Sequence, residues 1–125
     1  MPINAALAYQ SNKIKSATPT ELTLMLYEGA IKFCNMAMDG IDAKDNSKAN
    51  TNIIKAEKII THLRVTLDFK YPVAQEFDNV YDYLYGRLVM SNIRKDKAIL
   101  GEVLEHLREM RDTWKEVMKL TKTNS

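Results

Sequence analysis

Cysteine, glycine, proline and histidine are scarce in this 125-residue chain, and net charge is nearly absent. One cysteine, Cys34, permits no intrachain disulfide, so the chain is no disulfide scaffold and fits a reducing cytosol. Four glycines and three prolines are too few to punctuate an all-β meander. No run of about eighteen apolar residues exists, so no transmembrane helix is expected. The opening MPINAALAYQSNKIK lacks the apolar core of a signal peptide. Eighteen basic against sixteen acidic residues leave +2, too little for a concentrated basic face toward nucleic acid or an anionic membrane. The segment from Asn46 to Lys70 is the most basic, with Lys48, Lys55, Lys58, Arg64 and Lys70 against Glu57 and Asp68. It lacks the clustering of a recognition helix.

Catalytic groups are equally sparse. Cys34 shares an apolar face with Ile31 and Met38, the setting of an inert buried thiol. His62 and His106 fall on polar faces and are expected at the surface. The Glu-x-x-His pairs of two-metal bundles are missing, because Ile59 and Val103 stand three residues before the histidines. Asp78 and Asp82 share a helix face near an N-terminus, which predicts a solvated acidic face. There is no phosphate loop and no dinucleotide fingerprint. The chain is therefore expected to be no enzyme and to carry no metal or cofactor.

What is present is helical periodicity. Apolar residues make up 46 % and charged residues 27 %, the balance of one soluble domain with a real core. Spacings of three and four run almost throughout after Thr18. Thr18-Pro19-Thr20-Glu21 supplies a capping threonine, a proline at the first helical position and a glutamate placed to bond back. Helices are predicted at about 18–42, 47–69, 72–94 and 97–120, with Asp96 capping the last. The short links force antiparallel neighbours, so the expected fold is an all-α, up-down four-helix bundle. Residues 1–17 form a separate N-terminal segment with apolar Ile3, Leu7, Tyr9 and Ile14, and residues 121–125 are expected to fray.

The helices carry more apolar surface than one core needs. In the fourth, Leu100, Val103, Leu107, Met110, Trp114 and Val117 make one stripe opposite a charged face. Arg111 interrupts that arc, either as a packed stem with its head at the edge or as an ion-paired group holding the bundle or a partner. The first helix has two stripes: Leu22, Met25, Leu26, Gly29, Phe33 and Met36, then Leu24, Tyr27, Ile31, Cys34 and Met38. At about 100° per residue they leave a polar sliver on the order of 80° wide. In the third helix Phe77, Tyr81, Leu84 and Leu88 face one way, while Gly86, Val89, Met90 and Ile93 face another. In the second, Ile54, Val65 and Phe69 are left over beside the core set Ile53, Ala56, Ile60, Leu63 and Leu67. Either the first helix is central and packs on both sides, or the surplus forms a groove for a partner helix or apolar peptide. Methionine and tyrosine suit such a groove.

Four stretches in order carry a resemblance to a known family. They are Ala8-Tyr9-Gln10; SATPTELTLMLYEGAIKF from Ser16 to Phe33; Leu84-Tyr85 with Arg87-Leu88 and Ser91-Asn92; and Leu107-Arg108 through Arg111-Asp112-Thr113-Trp114. In that order and spacing, the chain resembles the flagellin export chaperone family, often called FliS, over nearly its whole length. The resemblance implies a cytoplasmic antiparallel helical bundle that binds the C-terminal segment of new flagellin. It implies that binding prevents early polymerisation and helps delivery to the flagellar type III export gate. It also implies an N-terminal segment that covers the binding surface until flagellin arrives, with Tyr9 in that role. Leu7 and Ile14 join it by their apolar character in the same segment.

On the helices, the client is expected to cover Leu24, Tyr27 and Ile31 of the first together with Val89, Met90 and Ile93 of the third. A capped groove predicts a monomer in the absence of client. The alternative is a structural bundle that self-associates through the same surface, which predicts a stable dimer.

Overall fold

The computed structural model describes residues 17–123, which form four helices: α1 (Pro19–Asp42), α2 (Asn46–Val65), α3 (Val73–Arg94) and α4 (Lys97–Thr123). The chain segment 1–16, including Leu7, Tyr9 and Ile14, lies outside the described residues.

Three of the four described helices begin where a side chain accepts from their free N–H groups. The Glu21 N–H donates to Thr18 Oγ1 at 3.1 Å, and Pro19 takes the first helical position. Asp45 accepts the Lys48 N–H at 3.0 Å to open α2. Asp96 Oδ1 accepts from the Ala98 and Ile99 N–H groups at 2.9 and 3.2 Å to open α4. Only α3 starts without a side-chain cap, after Pro72.

Packing follows chain order in an all-α bundle: α1 lies on α2 and α4, and α3 lies on the same two, so α1 and α3 face each other diagonally. The buried layers run from Ile53, Leu88 and Leu100 through Cys34, Ala56, Leu84 and Leu107 to Tyr27, Leu63 and Tyr81. Small residues bring α1 and α2 closest. A β-carbon on Gly40 would stand 2.7 Å from the Ala49 backbone nitrogen, so no larger residue fits there.

Several expectations are corrected. α2 ends at Val65, not near Phe69. Asp68 instead builds a turn, accepting the Lys70 N–H at 3.0 Å, and Pro72 disfavours a helical conformation at Tyr71. α4 continues to Thr123, into the stretch expected to fray. Asp78 and Asp82 are not a free acidic face: Arg64 donates to them at 2.8 and 3.2 Å, tying α2 to α3. Of the two readings of Arg111, the packed stem with its head at the edge is the one met: it pairs with its own neighbour Asp112 at 2.9 Å and, among the described residues, with no second helix.

The two stripes of α1 are both used. Tyr27, Ile31 and Cys34 enter the core. The other stripe is half-buried against α2, where Gly29 sits under Ile59. The Lys32 and Lys55 ammoniums lie 5.6 and 5.4 Å from the Phe33 ring centre.

Candidate functional site

The two ends of the bundle are built differently. At one end, links of three residues (43–45) and two residues (95–96) hold the helices together. At the other, α2 and α3 are joined by the seven residues 66–72, and large aromatic side chains replace small ones. Tyr27 of α1, Phe77 and Tyr81 of α3 and Trp114 of α4 meet there. The Phe77 and Tyr81 rings stack with centres 6.3 Å apart. The Trp114 indole N–H donates to the Thr20 carbonyl at 3.0 Å, which fixes the indole across α1.

Rings of this size do not close against one another, and two hollows remain. One, of about 230 Å³, lies over the end of α2 and the link, between Thr23, Leu63, Leu67, Tyr71 and Ala74. The second, of about 510 Å³, opens between α3 and α4, with Val80, Met110, Thr113 and Val117 in its wall. Tyr27, Phe77 and Trp114 line both, so the two hollows lie side by side along one apolar trough. Its apolar margin is exposed, with Tyr71 58 % and Val117 41 % accessible. Apolar pockets joined in a line suit a ligand that offers bulky apolar side chains along an extended or helical backbone.

Asp68 borders the smaller hollow, and His106 and Glu109 border the larger. Glu102 accepts hydrogen bonds from Tyr83 and from Arg87 Nη2, the latter at 3.0 Å, joining α3 to α4 one turn above His106. The hydrogen bonds from Tyr83 and Arg87 hold the Glu102 carboxyl below its ordinary range, and the same bond from Tyr83 raises that phenol. At the floor of the trough the Tyr27 and Tyr81 hydroxyls lie 2.6 Å apart, and burial pushes both phenols up, so both stay neutral. Burial likewise pushes the Cys34 thiol up to about 12, which leaves it unreactive. Among the described residues, no group of three His, Cys, Asp or Glu side chains could hold a metal ion, and no helix is long and apolar enough to cross a membrane.

The surface chosen from sequence is not assembled. Tyr27 and Ile31 are buried in the core, 3 % and 8 % exposed, because α1 turns that stripe inward. Leu24, Val89 and Met90 are half-buried, and Ile93 is 73 % exposed. Since α1 and α3 are diagonal, these residues make no common groove. Tyr27 alone reaches the trough, as its floor. The other apolar residues of the larger hollow, Phe77, Val80, Met110, Trp114 and Val117, were not among those expected to meet the client. For the three on α4 the signal was a change of size: the stripe passes from Leu and Val to Met and Trp, and continues after full burial ends at Leu107, while Phe77 and Val80 of α3 carried no such signal.

Known proteins match the chain over most of its length. A family model described as "Flagellar protein FliS" matches residues 2–121. The flagellar secretion chaperone FliS of Bacillus subtilis (strain 168) is 41 % identical over 93 % of this chain and 87 % of its own. The Escherichia coli (strain K12) protein of the same name is 30 % identical over 82 % of this chain and 78 % of its own. The flagellar secretion chaperone FliSB of Pseudomonas aeruginosa is 29 % identical over 82 % of both chains.

Proposed function

The chain belongs to the FliS family of flagellar proteins, chaperones and not enzymes, and from that premise we propose that it is a cytosolic export chaperone for the C-terminal segment of flagellin. The chaperone holds that segment, keeps it from polymerising early and presents it at the flagellar export gate. The observation that supports this reading is the pair of adjoining apolar hollows over Tyr27, Phe77 and Trp114.

A polymerising segment buries apolar residues against its neighbours in the filament, and a free monomer leaves them exposed. The trough offers the same kind of burial to one chain only. Burial of apolar area contributes about 25 cal/mol per Å². Ordering a disordered client offsets a large part of that gain, so the client can be released. Holding of this kind needs no nucleotide and no metal.

Trp114 is the sole tryptophan and lies in the trough, which makes it an internal reporter. Titration with the C-terminal segment of flagellin from the same organism should move its emission to the blue and saturate at one to one. Calorimetry of the same titration should give a negative heat-capacity change and little dependence on salt. Binding with no change at Trp114 would move the site away from the trough. An absence of binding, with a dimer present before any client is added, would favour self-association instead.

A further inference from the structure

The floor of the trough contains a hydrogen-bond donor that the fold leaves unspent. Tyr27 and Tyr81 are each 3 % exposed, and their hydroxyls face each other at 2.6 Å across the diagonal of the bundle. Two phenols carry two O–H hydrogens, and one mutual hydrogen bond uses one of them. Neither hydroxyl has another partner among the described residues. Both phenols remain protonated, since burial raises them. A buried O–H without an acceptor is unfavourable, because it has lost its hydrogen bond to water and gained none in return. Leu63 and Ala74 beside the pair in the smaller hollow, and Val80 and Met110 beside Tyr27 in the larger, offer no acceptor, and the polar residues of the same linings, Asp68 and Glu109 among them, accept from neither hydroxyl.

We propose that the Tyr27–Tyr81 pair is a specificity element, donating one hydrogen bond to a side-chain acceptor of the client, an amide or hydroxyl from Asn, Gln, Ser or Thr, seated among its apolar anchors. This rests on the trough being the client site. Apolar pockets alone accept almost any greasy segment, because removing or adding a methylene changes affinity little. A buried donor rejects a client that brings only hydrocarbon to that point, since the O–H would then stay unpaired beneath it. The pair thus fixes the register in which the client lies along the trough. Either phenol can serve: when one is lost, the survivor has no mutual bond and its O–H turns to the client.

That last property separates this role from a purely structural one. The full chain is titrated with the flagellin C-terminal segment as wild type, Tyr27→Phe, Tyr81→Phe and the double variant, each checked for folding by circular dichroism. The expected result is non-additive: each single variant binds within about twofold of wild type, and the double variant binds roughly five- to tenfold more weakly. A double variant that is folded and binds like wild type overturns the proposal, as do single variants that each lose as much as the double. A second arm needs only the wild-type chain. Replacing each Asn, Gln, Ser and Thr of the client segment by Ala in turn should reveal one position whose loss weakens binding to the same degree. A flat scan overturns the proposal even if the double variant does not fold. If the wild-type chain binds no flagellin segment at all, the chaperone reading fails and takes this inference with it. If binding is intact and only the variants disagree, the inference alone fails.

Discussion

The two ends of this bundle have the same helical periodicity and opposite packing. At the closed end, Ile53, Leu88, Leu100 and Val103 are fully buried, and Gly40 lets α1 meet the start of α2 at backbone distance. At the open end, Tyr27, Phe77, Tyr81 and Trp114 keep the helices apart over hollows of about 230 and 510 Å³. The difference lies in side-chain size and link length, not in the spacing of apolar residues. Small and branched residues interdigitate to the density of an organic crystal, whereas rings stacked on one another leave gaps at their edges. One end then carries stability, and the other carries a surface that a partner can complete.

The sharpest contrast is between two truncations. Leu88→Ala at the closed end should destabilise the fold by about 2–5 kcal/mol in urea unfolding. Phe77→Ala, already 37 % exposed, should cost about 1 kcal/mol or less in the same assay. Equal losses would mean that the ends share the load and would remove the distinction. Gly40→Ala comes next. Its methyl meets the Ala49 backbone, which cannot swing aside, and the expected loss is about 1–3 kcal/mol.

A smaller change of opposite sign is expected at the α1–α2 turn. Lys44 has φ 56°, a left-handed conformation that costs a side-chain-bearing residue about 1–2 kcal/mol. Glycine relieves this but gains freedom in the unfolded chain, so Lys44→Gly should stabilise by about 0.5 kcal/mol net, read as a rise in Tm. Lys95, at φ 51°, gains less from the same change, because its ammonium donates to the Asn92 carbonyl and side-chain oxygens at 2.6 and 2.7 Å.

The least effect concerns pH. Glu102 has a folded pKa below its ordinary 4.5, held there by Tyr83 and Arg87. A depressed carboxyl contributes stability above its unfolded pKa and loses it as pH falls through the folded value. The Tm gap between wild type and Glu102→Gln should therefore be present at neutral pH and close below about pH 4.5. A gap that persists in acid would show that the carboxylate charge is not its source.

The fold was legible in the sequence because its determinants are local. Thr18-Pro19 and Asp96 mark helix starts by their own chemistry, and each cap is found in place. The link after α2 was less legible. Leu67 and Phe69 continue the apolar spacing, while Asp68 accepts the Lys70 N–H in a turn and the Pro72 ring disfavours a helical Tyr71, effects that spacing does not register. The site was the least legible part. Periodicity says which residues share a face of one helix, and not which helices are diagonal. Ile31 looked surplus because α1 has two apolar stripes, yet α1 packs on two neighbours and needs both. Trp114 and Met110 looked like ordinary core, yet they lie where the core stops closing.

The most direct test sets the open end against the surface that periodicity alone had favoured. Phe77→Asp and Ile93→Asp both place a carboxylate on α3 at positions exposed by 37 % and 73 %. Calorimetry with the flagellin C-terminal segment should show Phe77→Asp weakening binding by roughly thirtyfold or more, the equivalent of one lost apolar anchor. Ile93→Asp should bind as wild type does. Normal binding by a folded Phe77→Asp, with binding lost in Ile93→Asp, would place the client on the other half of α3 and contradict the assignment of function to the trough.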